Sequence, residues 1–313
     1  MILKQKDSCD KDIAELQGLL TLSLNAKQRF LIEREMKCLR SGEHGEQNSA
    51  YYIDFRHKNT KNSVVIHDLR IQHLGAVAQI DHILINRILD IYVLESKNYY
   101  YGIKITDNGE FMVWTGKGFQ GIESPIEQNK RHIELLKKTI EDRSLAPKRL
   151  GISISPSVKS FVLVSPAARI DRPAAKRFNT ESVIKADALM AAIDREVDEM
   201  TPLDMVNVAK LVSRETMEEF GQKIVRLHRP GQINYATKFG ISKEVLTPAA
   251  KSMPQAKPIL PATMAQAEQR SSEKSCEECG KPVENKVVFF CRINKKKFDG
   301  KILCRECQKG HHY

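Results

Sequence analysis

No run of 18 consecutive apolar residues occurs in the 313-residue chain, so no membrane-spanning helix is expected. The opening residues, MILKQKDSCDKD, turn polar within a few positions. They lack the apolar centre of a secretory leader, and a cytoplasmic setting is the expectation. No internal repeat is visible, which argues against a solenoid. Cysteine is nearly absent from the body of the chain. Of seven cysteines, Cys9 and Cys38 stand alone in helical patterns and five lie between Cys276 and Cys307. Clustered thiols without a leader point to metal ligation rather than disulfides.

What is present is a basic chain with enough apolar material for a sizeable core. Lys and Arg number 50 against 39 Asp and Glu, a net charge of +11, with 41% hydrophobic residues. The charge favours a polyanionic partner, nucleic acid before an anionic membrane surface. The length suggests two domains.

Apolar residues recur at helical spacing in DKDIAELQGLLTLSL and continue in NAKQRFLIEREMKCLR. A third helix is expected in SGEHGEQNSAYYIDFRH, beginning near Ser41 or Gly42. SVVIHDLRI alternates like a strand, and Gly75 marks a turn or bulge. GIKITDNGEFMVWTG predicts a hairpin turning at Asn108-Gly109. Ser124-Pro125 is a helix start, and Ile126, Ile133, Leu136 and Ile140 then share one face. KSFVLVS reads as a buried strand, and KADALMAAIDREVDEM and PLDMVNVAKLVSRETMEEF as two further helices. From about Arg229 the composition shifts to Pro, Ala, Ser and Gln, which predicts a disordered linker.

The segment QIDHILINRILDIYVLESK reads as a core hairpin, yet it carries Asp81, Glu95 and Lys97. Charged side chains are seldom buried without partners. Asp81 and Glu95 are symmetric about Ile88, inside the expected turn NRILD, so they fall opposite each other. Period-two alternation puts Lys97 on the same face and His82 on the other. Two adjacent carboxylates repel unless a cation joins them. A hard divalent ion such as Mg²⁺ (or Mn²⁺) suits oxygen donors of this kind. The competing reading of these charges is a solvated face with a surface ion pair. The apolar runs ILI and IYVL on either side argue instead for cover on both faces.

The ordered set GE at Gly45-Glu46, QIDH, ESKNYYYG and SPIEQNKRHIELL resembles the nuclease-related domain family. That family belongs to the restriction-endonuclease-like PD-(D/E)xK nucleases, and the resemblance spans about residues 41–140. It implies an α/β fold, a mixed central sheet flanked by helices, and Mg²⁺-dependent phosphodiester hydrolysis with DNA as the favoured substrate. By the same resemblance Asp81 and Glu95 would hold the metal with the backbone carbonyl after Glu95. Lys97 would act beside them. Glu46 would orient a water or a second metal, and Gln128 would touch the scissile phosphate or the lysine. Two positions depart from the family pattern. The turn before the second core strand has no glycine, and Ile80 replaces the proline of the PD motif. His132, four residues after Gln128, could share its face or meet solvent. Trp114 and Tyr99, Tyr100 and Tyr101 are candidates for base stacking or, more simply, for core and rim.

Cys276-Glu-Glu-Cys279 and Cys304-Arg-Glu-Cys307 form a CxxC…CxxC pair, the ligand set of a structural Zn²⁺ in a small hairpin ribbon. Cys291, between the pairs, is expected to be packed and free, although it could replace one of the four. Ten Lys and Arg against five Asp and Glu between Lys274 and Tyr313 make Lys295, Lys296 and Lys297 candidate phosphate contacts. The segment resembles the zinc ribbons of topoisomerases, and such ribbons also bind proteins. The expected organisation is N-terminal helices at 1–40, a nuclease-related domain at 41–228, a linker at 229–275 and the ribbon at 276–313. The alternatives to a nuclease in DNA processing or defence are a non-catalytic nucleic-acid-binding protein and a zinc-ribbon adaptor.

Overall fold

The computed structural model describes residues 1–99, 101–198, 210–242, 275–284, 287–288, 290–291, 298–308 and 310. The chain divides into two compact units, Met1–Lys251 and Ser252–Tyr313. Among the described residues no helix is long and apolar enough to cross a membrane.

The first unit is built on a mixed six-stranded sheet, in the order β1 (Ile2–Lys4), β2 (Ser63–His73), β3 (Ala76–Asn86), β4 (Asp90–Lys97), β10 (Ser157–Val164) and β12 (Val183–Lys185). The β2–β3–β4 meander is antiparallel, and the other pairings are parallel. Period-two alternation splits its apolar residues between two layers. On one face Val64, Ile66, Ile83, Ile85 and Val93 pack against α3 (Pro125–Asp142) and α5 (Arg214–Val225). On the other, Val65, Leu84, Tyr92 and Leu94 pack with Ile53 of α2 (Ala26–His57) and Leu189 of α4 (Leu189–Asp198). A second sheet, β11 (Ile170–Asp171), β5 (Ile103–Ile105), β6 (Phe111–Trp114) and β7 (Phe119–Ile122), lies beside it, and β8 (Lys148–Arg149) and β9 (Ile152–Ser153) form a short hairpin.

Helix α3 follows its sequence signals. Ser124 accepts from the Glu127 amide at the N-cap, Pro125 is the first helical residue, and Ile126, Ile133, Leu136 and Ile140 are buried. Each such side chain contributes about 1.5–3 kcal/mol of burial. That outweighs an exposed ion pair such as Lys130–Glu127, worth about 1 kcal/mol or less. The β3–β4 turn, without glycine, is closed by Asn86. Its Oδ1 accepts from the amides of Ile88 and Asp90, while Leu89 takes the left-handed conformation at φ 59°.

Three expectations are corrected. The third helix does not start at Ser41 or Gly42: α2 runs unbroken for 32 residues, from an Asn25–Gln28 capping box to His57. Its Gly45 is there for close approach, since a Cβ would lie 2.6 Å from Cβ of Asn98. The helix expected over residues 202–220 is interrupted at residues 211–213, which are not helical, and α5 starts at Arg214, where Ser213 accepts from the Thr216 amide. Residues 201–209 lie outside the described residues. The linker does not begin at Arg229. The short helix α6 (Tyr235–Lys238) packs Tyr235, with Phe239 and Ile241, against Leu16 of α1 (Asp10–Leu20) and Ile32 of α2. Residues 243–274 are outside the described set.

The second unit has a small core of Cys276, Val287, Cys291, Phe298 and Leu303. Its first knuckle is closed by a bridge between Ser275 and Pro282, and α7 (Arg305–Gln308) follows the second CxxC start. The apolar run between the two CxxC pairs is helical at residues 287–288 and 290–291. Val287, Val288 and Cys291 are buried while Phe290 is exposed, the i, i+1, i+4 pattern of a helix rather than the alternation of a strand.

Candidate active site and cysteine centre

Strands β3 and β4 pair from Ile85↔Ile91 to His82↔Leu94, a register symmetric about Ile88. There the pairing stops, although both strands continue. β3 stays on β2 through Ala76, and Glu95, Ser96 and Lys97 stay on β10. Asp81 and Glu95 are the next positions in register, at the mouth of the gap. The amide of Ser96 has no carbonyl of β3 to bind and donates to Asp81 Oδ2 at 2.7 Å.

Glu95 is 2% exposed. Its Oε1 accepts from Lys97 Nζ at 2.7 Å, and the same ammonium donates to Gln128 Oε1 of α3 at 3.0 Å. An ammonium has three N–H groups, so among the described residues one remains available. One turn on, His132 Nδ1 stands 3.4 Å from Glu95 Oε2. Both atoms are buried, and among the described residues neither makes a hydrogen bond. Helix α3 is held in place by the fully buried Asn129, whose amide donates to the Val93 carbonyl and Ser160 Oγ, each at 2.9 Å.

Glu46 reaches the same region from α2. The bare Gly45 lets the helix close on Asn98, whose amide donates to the Ser41 carbonyl at 3.1 Å. Glu46 Oε2 accepts from Lys6 Nζ at 2.6 Å. A cavity of about 1110 Å³ opens beside it, with Lys6, Asp68, Arg70, Gln79 and His228 on its wall.

Asp68 and Lys6 are not evident from sequence motifs. The β2–β3 register, His67↔His82 and Leu69↔Ile80, sets Asp68 against Asp81. Its φ of 54° is left-handed, and its carboxylate accepts from Gln79 Nε2 at 3.0 Å and from the Asp7 amide at 3.1 Å. A turn centred on Leu74-Gly75 would have revealed that pairing. Nothing local marks Lys6, which is brought in by the parallel docking of β1 on β2.

The carboxylates differ in how they hold a proton. Burial, then the charges of Glu95 and Glu46, push Asp81 well above the usual carboxylate range, against the Ser96 amide and Lys97. Glu46 is raised as well, chiefly by burial, with Lys6 opposing and Asp68 and Glu95 adding. Burial acts on Glu95 in the same direction, but His132 and Lys97 outweigh it and hold its carboxyl below the ordinary range. The low-pKa Glu95 beside the raised Asp81, with one buried carboxylate oxygen that lacks a hydrogen bond among the described residues, makes an oxygen donor set that fits a hard divalent cation.

His82 lies on the opposite face, fully buried, with its ring against His67. Trp114 and Tyr101 are exposed, Tyr99 packs on the second sheet's core, and Tyr100 is outside the described residues.

In the second unit Cys276, Cys279, Cys304 and Cys307 bring their sulfurs within 4.8 Å of one another, a set that could hold a metal ion. Four thiolates around one point suit tetrahedral Zn²⁺. Cys291 is not among them. It is 1% exposed and its sulfur is bonded by the Leu303 amide and Gln308 Nε2. Lys295, Lys296 and Lys297 lie outside the described residues.

Comparison with curated proteins and with solved structures finds no match to this chain. The family model that does match covers residues 41–165, from the middle of α2 through the splayed strands and α3 to the end of β10, and its description is Nuclease-related domain.

Proposed function

We propose that the chain is a metal-dependent nuclease that hydrolyses phosphodiester bonds, of DNA before RNA, in DNA processing or defence against foreign DNA within the cytoplasm. The observation that carries this reading is the meeting of Asp81, Glu95 and Lys97 where β3 and β4 part, with Gln128 already on the lysine. Asp81, Glu95 and the Ser96 carbonyl are the donors for Mg²⁺ or Mn²⁺. When bound, the ion supplies charge against phosphate oxygens and a more acidic water. Lys97, aimed by Glu95 and Gln128, offers its remaining N–H to the attacking water or to the charge growing on phosphorus. Glu46 orients water from the α2 side, and Gln128 can pass from the lysine to the scissile phosphate. In the second unit the four cysteines hold a structural Zn²⁺. That unit adds nucleic-acid affinity, with Lys295, Lys296 and Lys297 as phosphate contacts and a protein partner as the alternative use.

The test is cleavage of linear, circular and single-stranded DNA, and of RNA, by purified protein with Mg²⁺ or Mn²⁺. Asp81→Ala and Lys97→Ala should each lower the rate by about a hundredfold or more. Cleavage that persists in both variants overturns the site. Salt-dependent binding with no cleavage by the wild type would leave a binding protein instead.

A further inference from the structure

Behind the gap between β3 and β4 runs a buried polar chain. Asp54 Oδ1 of α2 is 3.0 Å from His67 Nε2, and His67 Nδ1 is 2.7 Å from His82 Nδ1. His82 Nε2 is 2.9 Å from Ser96 Oγ. The partners fix the protons. A carboxylate only accepts, so His67 donates through Nε2. A neutral His67 then accepts at Nδ1, so His82 donates from Nδ1 and accepts at Nε2. That leaves the Ser96 hydroxyl as donor. All four ring nitrogens are used, which satisfies two imidazoles that are each 1% exposed.

Ser96 is the middle residue of the Glu95–Lys97 stretch. His82 pairs with Leu94, so its side chain and that of Ser96, two residues on, share the face away from Glu95. Ser96 is therefore gripped from both sides. Its hydroxyl is held from behind by His82, and its amide holds Asp81 in front at 2.7 Å. This contact crosses the gap just beyond the last β3–β4 pair, where no backbone pairing sets the distance between the strands.

We propose that Ser96, His82, His67 and Asp54 form a strut that sets the separation of Asp81 from Glu95 and thereby tunes the affinity of that pair for a divalent cation. This rests on the metal-dependent reading above. The four are positioning residues. The Ser96 hydroxyl fixes the peptide whose amide orients Asp81 and whose carbonyl is itself a proposed donor. Outer partners that orient metal donors typically change affinity by about ten- to a hundredfold when removed.

The experiment measures Mn²⁺ binding to the full chain by calorimetry and by the loss of the free-ion electron paramagnetic resonance signal, alongside DNA cleavage and thermal melting. Ser96→Ala should bind Mn²⁺ about ten- to a hundredfold more weakly and recover its cleavage rate as Mn²⁺ is raised to saturation. Ser96→Thr, which keeps the hydroxyl, should restore affinity. Asp54→Ala, at the half-exposed far end of the chain, should weaken binding in the same direction by a smaller factor, and it tests the strut even if a substitution at Ser96 hinders folding. Wild-type affinity in folded Ser96→Ala and Asp54→Ala overturns the strut while leaving the nuclease reading standing. A wild-type chain that binds no Mn²⁺ overturns both.

Discussion

The two units solve the same problem with different means. In the first, the sheet is covered on both faces by helices, and its stability comes from apolar burial in several clusters. In the second, the core among the described residues is five buried side chains, two of them cysteines. A core of that size contributes little against the entropy of ordering a chain, and a metal held by the four cysteines could supply the difference. The first unit, with its larger core, carries buried carboxylates and an unpaired strand end at its candidate site. The second gathers its four candidate ligands, Cys276, Cys279, Cys304 and Cys307, around one point.

Withdrawing zinc is the strongest way to break this comparison. Structural zinc contributes about 10–16 kcal/mol of folding free energy in small metallo-domains. A chelator, or Cys279→Ser, should therefore unfold the second unit while the main melting transition stays in place, as amide exchange resolved along the chain would report. Loss of protection in β2–β4 on the same treatment would show that the first unit also depends on the metal.

Acid should divide the units in a graded way. His57, at the end of α2, has its pKa lowered from 6.5 to about 4, chiefly by burial. A lowered histidine adds stability that is present above about pH 6.5 and is lost as pH falls toward about 4. Denaturant unfolding of the first unit should weaken across that window, and His57→Gln should flatten the slope. An unchanged slope would mean that His57 does not carry this dependence. The smallest effect concerns the β8–β9 turn, where Leu150 and Gly151 have φ of 50° and 82° and Leu150 is 97% exposed. Leu150→Asn, which suits such a turn, should stabilise the first unit by about 0.5–1 kcal/mol in the same titration and leave the second untouched. A destabilised variant would show that Leu150 makes a packing contribution despite its exposure.

Much of the site was legible because its signals are local. The symmetry of Asp81 and Glu95 about Ile88 depends only on one turn, and Asn86 builds that turn where a glycine was missing. Ser124-Pro125 and the two CxxC pairs are equally local. The misses come from tertiary packing. The break expected near Ser41 or Gly42 followed local propensity, yet α2 runs through it, and Gly45 just beyond is needed bare so that the helix can meet Asn98. Tyr235 sits in a stretch with linker composition, and only the pocket formed by α1 and α2 makes it a core residue. Asp68 required the partner strand, and Lys6 required the docking of β1.

The unbroken α2 has a mechanical consequence. At about 1.5 Å per residue its 32 residues form a rod of roughly 48 Å. Ile32 and Met36 anchor one end among the N-terminal helices, and Ile53 anchors the other beneath the sheet. Glu46 stands between these supports. A beam clamped at both ends resists tilt as well as translation, so the carboxylate keeps its station without a large shell of its own contacts. Had the helix broken at Ser41, the same residue would ride on a cantilever, and its distance from Asp81 would follow every bend of the break.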